Sequence, residues 1–120
     1  MARILLAEDT PATCEMVRHA LTSDGHSVVV TQDGSEALEH VQALSEPFDL
    51  LISDVDMPGL DGVGLVEKAL KARPGLKVIL MSGFAAGLER ADHLRPHTGG
   101  ILSKPFTLDQ IRAAVRKALG

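Results

Sequence analysis

The sequence predicts an open α/β fold, a parallel sheet with helices on both faces, and three observations carry that prediction. Short apolar runs recur along the chain, several of them continuous rather than alternating, which suits strands covered on both sides. Segments with helical spacing of apolar residues lie between those runs. The 120 residues, 45% hydrophobic and 23% charged, suit one domain with a sizeable core, so a single unit over residues 1–120 with no effector domain is expected.

The elements follow in order. Ile4 to Ala7 is the first strand, and Cys14, Val17, Ala20 and Leu21 then mark one face of a helix that stops near Gly25. Val28 to Val30 is the second strand. Asp33-Gly34-Ser35 starts a second helix, with Ala37, Leu38, Val41 and Leu44 on one face and Pro47 beyond its end. Leu50 to Ile52 is the third strand. The turn-forming Met57-Pro58-Gly59-Leu60-Asp61-Gly62 leads into a third helix with Val63, Val66, Ala69 and Leu70 inward, ending before Pro74-Gly75. Val78 to Met81 is the fourth strand. Phe84 to Ala91 suits a short fourth helix, while Pro96 and Gly99-Gly100 make the approach to a fifth strand at Ile101 to Leu102 irregular. Thr107 or Asp109 caps a closing helix lined by Leu108, Ile111, Val115 and Leu119.

In an open sheet of this kind ligands bind outside the carboxyl ends of the strands. The polar residues comply. The first strand runs into Glu8-Asp9, the third into Ser53-Asp54, the fourth into Ser82-Gly83 and the fifth into Ser103-Lys104-Pro105. Carboxylates gathered on one rim repel unless a cation or protons neutralise them. Mg²⁺ takes oxygen ligands and keeps several waters. Glu8, Asp9 and Asp54 supply the charge for it, and Asp56 could offer a backbone carbonyl. A carboxylate beside such an ion can also act as nucleophile towards a phosphoryl group, whose charge must be met by the metal, an ammonium and hydroxyl or amide donors. Lys104 and Ser82 are those types on the same rim.

The set Glu8-Asp9, Asp54 with its Met57-Pro58-Gly59 loop, Ser82-Gly83 and Lys104-Pro105-Phe106 resembles the receiver domain of two-component response regulators over essentially the whole chain. Each motif alone is weak; the four in order are specific. The resemblance implies a flavodoxin-like (βα)5 fold with strand order 2-1-3-4-5. It implies Asp54 as phosphoacceptor, with Mg²⁺ held by Glu8, Asp9, Asp54 and the Asp56 carbonyl. Lys104 would pair with the phosphoryl group, and the Ser82 hydroxyl would turn to it beside the Gly83 amide. A histidine kinase or histidine phosphotransfer protein would be the donor, in the cytoplasm. The domain would assist its own phosphorylation and dephosphorylation without being an enzyme in the ordinary sense.

One position departs from the family. The usual aromatic switch residue, three before the lysine, is Ile101 here, so a rotating Tyr or Phe cannot be the readout. Output is expected by docking through Ser82, the neighbouring Phe84 and Ile101. The segment from Met81 to Ala86 looks like the CpdR type of single-domain receiver, a group that controls ClpXP proteolysis, which makes ClpX a candidate partner. Carboxy-terminal receivers of hybrid histidine kinases share the Ser-Gly-aromatic and Lys-Pro-Phe features, so an excised domain of that kind is the alternative. Asp54-Val55-Asp56 also matches the start of haloacid-dehalogenase-type phosphatases, but here the acidic pair precedes the nucleophile and little chain follows it.

Other classes are disfavoured. Twelve Lys and Arg against sixteen Asp and Glu give a net charge of −4, the wrong sign for nucleic acid, and three phenylalanines with no Tyr or Trp leave few surfaces on which bases could stack. No stretch approaches the ~20 apolar residues of a membrane span. Cys14, the one cysteine, is expected as a buried structural thiol in a reducing compartment. His93 and His97 stand four apart, but Pro96 between them should break a metal-binding helix.

Overall fold

The computed structural model describes residues 1–43, 45 and 47–120; the helix-two position Leu44 lies outside them. Five parallel strands, β1 (Arg3–Ala7), β2 (Ser27–Thr31), β3 (Leu50–Asp54), β4 (Lys77–Ser82) and β5 (Gly100–Ser103), form one sheet in the order β2-β1-β3-β4-β5. The helices between them are α1 (Pro11–Ser23), α2 (Gly34–Gln42), α3 (Gly62–Ala72), α4 (Ala85–Ala91) and α5 (Leu108–Leu119). Chain order and sheet order both match the expectation.

Each central strand is buried on both faces, and the two-residue side-chain period divides its residues between two cores. Ile4, Leu6, Leu50, Ile52, Ile79 and Met81 point one way, against Cys14, Val17 and Leu21 of α1 and Ile111 and Val115 of α5. Leu5, Leu51, Val78 and Leu80 point the other way, against Val41 of α2, Leu65 and Val66 of α3 and Ala91 of α4. Fully burying one such aliphatic side chain stabilises the fold by ~1.5–3 kcal/mol. These packed layers make a rigid base for the loops at the strand ends.

Local signals set the helix ends. The chain passes Gly25 at φ +90° after α1, a conformation that side-chain-bearing residues seldom adopt. Asp33 accepts from the Glu36 amide at 2.8 Å, and Asp61 accepts from the Gly64 amide at 2.9 Å, capping α2 and α3. Thr107 rather than Asp109 caps α5, in a reciprocal pair with Gln110.

Three details differ from the periodicity reading. Leu65 is a fully buried α3 residue, while Val63 and Leu70 are half-buried. Ala118 is buried in α5 and Leu119 less so. After α4 the chain continues as a 3-10 helix over Asp92–His97, with Pro96 inside it; the tighter turn tolerates a proline that an α-helix would not.

Candidate functional site at the carboxyl rim

Parallel pairing brings the carboxyl ends of β1, β3, β4 and β5 to the same edge, with Leu6 opposite Ile52, Asp54 opposite Met81 and Ser82 opposite Ser103. Glu8 follows β1 and is fully buried, its amide donating to the Thr31 carbonyl at 3.1 Å. Asp54 ends β3 and is 5% exposed. Asp9 is exposed, and Glu8, Asp9 and Asp54 each offer a carboxylate oxygen within 4.8 Å of the others.

Lys104 reaches into this cluster from the residue after β5. Its Nζ donates to Glu8 Oε1 at 2.5 Å and to Asp54 Oδ2 at 3.0 Å. The Lys104 amide donates to the Ser82 carbonyl at 2.8 Å, and the Lys104–Pro105 peptide is cis, an isomer the sequence left open. Three carboxylates against one ammonium leave a net charge of minus two. Such a site favours a further cation.

The electrostatics reflect the crowding. Burial pushes the Glu8 carboxyl up, with the Asp54 charge adding to it, against hydrogen bonds from Lys104 and the Thr10 amide. Burial alone would push the Lys104 ammonium down, but its bonds to Glu8 and Asp54 outweigh that and hold it above the usual lysine value. Cys14 is buried and its thiol is pushed up by desolvation and by Glu8 and Glu15, as suits an unreactive thiol.

Ser82 is fully buried at the end of β4. Its hydroxyl lies 3.1 Å from Asp56 Oδ2 and 3.2 Å from the Phe84 carbonyl, and accepts from the Phe84 amide at 3.2 Å. Gly83 sits beside Lys104, 3.6 Å from the lysine Cβ to where its own Cβ would be. Asp56, whose backbone carbonyl is the group expected at the metal site, also uses its carboxylate, for Ser82 and for Arg90 of α4, whose Nη2 is 3.3 Å away. The same nitrogen lies 3.2 Å from Asp61 Oδ2. Sequence reading missed Arg90 and Asp61, because neither lies at a strand end and no local pattern pairs them.

The docking residues separate. Phe84 is 66% exposed. Ile101 is half-buried against the core on the α2–α4 side. His93 Nε2 lies 3.3 Å from Glu67 Oε2, and neither His93 nor His97 joins a metal-binding cluster among the described residues. A cavity of about 710 Å³, lined by residues such as His26, Phe48 and Lys77, opens at the opposite edge of the sheet. Beside Lys104, a groove of about 390 Å³ is lined by Ala12, Thr13, Met16, Pro105 and Phe106.

Sheet order and rim place the molecule among the CheY-like α/β signalling domains. The family model of the response regulator receiver domain matches residues 4–116, and the chain belongs to that family of two-component systems. It is 38% identical over 119 residues to the response regulator receiver protein CpdR of Brucella abortus (strain 2308), covering 99% of this chain and 98% of that protein. It is 36% identical over 118 residues to the sensor kinase CckA of the same organism, covering 98% of this chain and 12% of the kinase. The response regulator protein TrrA of Thermotoga maritima, solved in complex with Mg(2+)-BeF, superposes with a TM-score of 0.86 at 28% identity, covering 99% of this chain and 100% of that one. Receiver domains bind Mg²⁺ at an acidic pocket, and the Glu8, Asp9 and Asp54 cluster fits that group. No helix is long and apolar enough to cross a membrane among the described residues.

Proposed function

We propose that the chain is a phosphorylation-switched receiver in which Asp54 accepts a phosphoryl group from the phosphohistidine of a histidine kinase or histidine phosphotransfer protein. The observation that carries this reading is the shared lysine: one ammonium bridges Glu8 and Asp54 in a cluster that keeps excess negative charge. An Asp54 oxygen forms the new bond to phosphorus as the bond from phosphorus to the donor imidazole nitrogen breaks; the imidazole keeps the electron pair and takes a proton from water. Glu8, Asp9, Asp54 and the Asp56 carbonyl would hold Mg²⁺, which when bound would supply positive charge to offset that of the phosphoryl oxygens. Lys104 meets a phosphoryl oxygen, and the Ser82 hydroxyl and Gly83 amide meet another. The apolar groove beside Lys104 offers the donor a surface next to Asp54.

Output is by docking. The exposed Phe84 stands two residues after Ser82, and its amide donates to the serine hydroxyl, so reorientation of the serine alters the surface a partner meets, with Ile101 half-buried on the neighbouring strand. The likeness to CpdR over nearly its full length supports a stand-alone, cytoplasmic regulator of ClpXP proteolysis, docking ClpX when unphosphorylated. The likeness to one segment of CckA favours a second reading, the receiver of a hybrid histidine kinase within a phosphorelay. The phosphatase reading has no such support, since the Asp56 carboxylate is engaged by Ser82 and Arg90.

Intact mass after incubation with acetyl phosphate, with and without Mg²⁺, tests the chemistry. One Mg²⁺-dependent phosphoryl adduct in wild type and none in Asp54→Asn is the expected result; no adduct on the folded wild type would overturn it. Binding of the unphosphorylated but not the phosphorylated form to the ClpX amino-terminal region separates the adaptor from the relay domain.

A further inference from the structure

With no aromatic side chain at position 101, the coupling between rim and surface needs another carrier, and a polar chain from Ser82 to α4 is in place. The Ser82 hydroxyl bonds Asp56 Oδ2, the other Asp56 oxygen lies 3.3 Å from Arg90 Nη2, and that nitrogen also reaches Asp61 Oδ2 at 3.2 Å. Asp61 is itself fixed, since its other oxygen caps α3. Arg90 stands on α4 and both its partners on the loop after β3. The guanidinium therefore ties the fourth helix to the loop that follows the phosphoacceptor strand.

A second observation shows how closely α4 is seated on the same pair. A Cβ built on Gly87 would lie 2.4 Å from Ser82 Oγ and 2.9 Å from Asp56 Oδ2, distances no real side chain tolerates. The absence of that one carbon lets the helix backbone rest on the serine hydroxyl and the aspartate. Ser82 cannot leave Asp56 without loosening what α4 sits on.

We propose that Arg90 is a positioning residue that latches α4 in the unphosphorylated form through Asp56 and Asp61, so that Ser82 and α4 change partners together. The inference rests on the receiver reading above and names its regulation. While Ser82 bonds Asp56, the arginine holds α4 down over a charge the serine helps to satisfy. When the hydroxyl turns to a phosphoryl group on Asp54, Asp56 loses one partner, the seat under Gly87 empties, and α4 is released to present Phe84 differently. A ligand shifts such an equilibrium only through contacts that differ between the two states, and here the Asp56 contact belongs to one state and the phosphoryl contact to the other.

The test is amide NMR of the full chain with Mg²⁺, titrated with beryllofluoride as a stable phosphoryl mimic, for wild type, Arg90→Gln, Arg90→Lys and Gly87→Ala. Removing an exposed ion pair should shift the two-state ratio roughly twofold to fivefold. The α4 amides of ligand-free Arg90→Gln should move along the wild-type line towards the bound position, and its beryllofluoride midpoint should tighten by the same factor, since coupling is reciprocal. Arg90→Lys should recover most of the wild-type position, because an ammonium also pairs with carboxylates, and Gly87→Ala should move further than Arg90→Gln. Ligand-free α4 shifts and a midpoint equal to wild type in Arg90→Gln, in a protein whose wild type responds, would overturn the latch alone. A wild type with no response to beryllofluoride would overturn the receiver reading and the latch with it.

Discussion

The Lys104 ammonium stands 3.0 Å from Asp54 Oδ2 and 2.5 Å from Glu8 Oε1, so a single cation is shared by two buried acids that would otherwise repel each other. The proposed phosphoacceptor is thus held by an interaction that a phosphoryl group can take over without leaving Lys104 unpaired. Asp54 and Lys104 meet because β3 and β5 flank β4.

Lys104→Ala removes that shared cation. The metal-free variant should lose about 1–3 kcal/mol of stability, below the cost of breaking a fully buried pair because the lysine is partly solvated. Urea denaturation measures it. Added Mg²⁺ should recover more stability in the variant than in wild type, since the ion replaces the missing positive charge.

Glu8 makes the metal-free fold sensitive to pH. Burial raises its carboxyl pKa in the fold, so the stability it contributes is fully present below the unfolded value of about 4.3 and is lost as pH rises through the raised folded value. Between those values the neutral form favours the native state. Glu8→Gln should therefore be more stable than wild type at neutral pH without Mg²⁺, and the difference should shrink on acidification. Denaturation series at several pH values check it; a difference that grows on acidification would reverse the sign assigned here.

Mg²⁺ should stabilise the native protein by mass action, about 2.7 kcal/mol at a hundredfold excess over the dissociation constant. Asp9 is exposed, so Asp9→Ala should fold normally yet lose most of that gain. Thermal unfolding with and without Mg²⁺ reads both.

Ser82→Ala should keep the Asp54 adduct and weaken the response of α4. The hydroxyl is not needed for the bond to phosphorus, but its exchange between Asp56 and the phosphoryl group carries the signal onward. Intact mass gives the first quantity and the α4 amide shifts the second. A full α4 shift in Ser82→Ala would remove the serine from the switch.

Much of this molecule was legible locally. Continuous apolar runs marked the buried strands, and Cys14, Val17, Ala20 and Leu21 lay on the inward face of α1 as their spacing required. Asp33-Gly34-Ser35 marked the start of α2, and Thr107 or Asp109 that of α5, where Thr107 is the cap. Because every strand is parallel, polar residues that follow strand ends in the sequence must meet at one edge, so Glu8, Asp9, Asp54, Ser82 and Lys104 could be grouped before any contact was known.

What the sequence by itself determined, then, was the alternation of strands and helices and the membership of the rim, because both depend on period and order along the chain. Tertiary structure alone decided the partners within the rim: that Lys104 serves Glu8 as well as Asp54, that the Asp56 carboxylate turns to Ser82, and that Arg90 closes over Asp56 and Asp61. The lysine's partners follow from sheet order, while the other two choices rest on where α4 settles, with Gly87 against the serine, and a contact between a short helix and a distant loop leaves no periodic trace in the residues that make it.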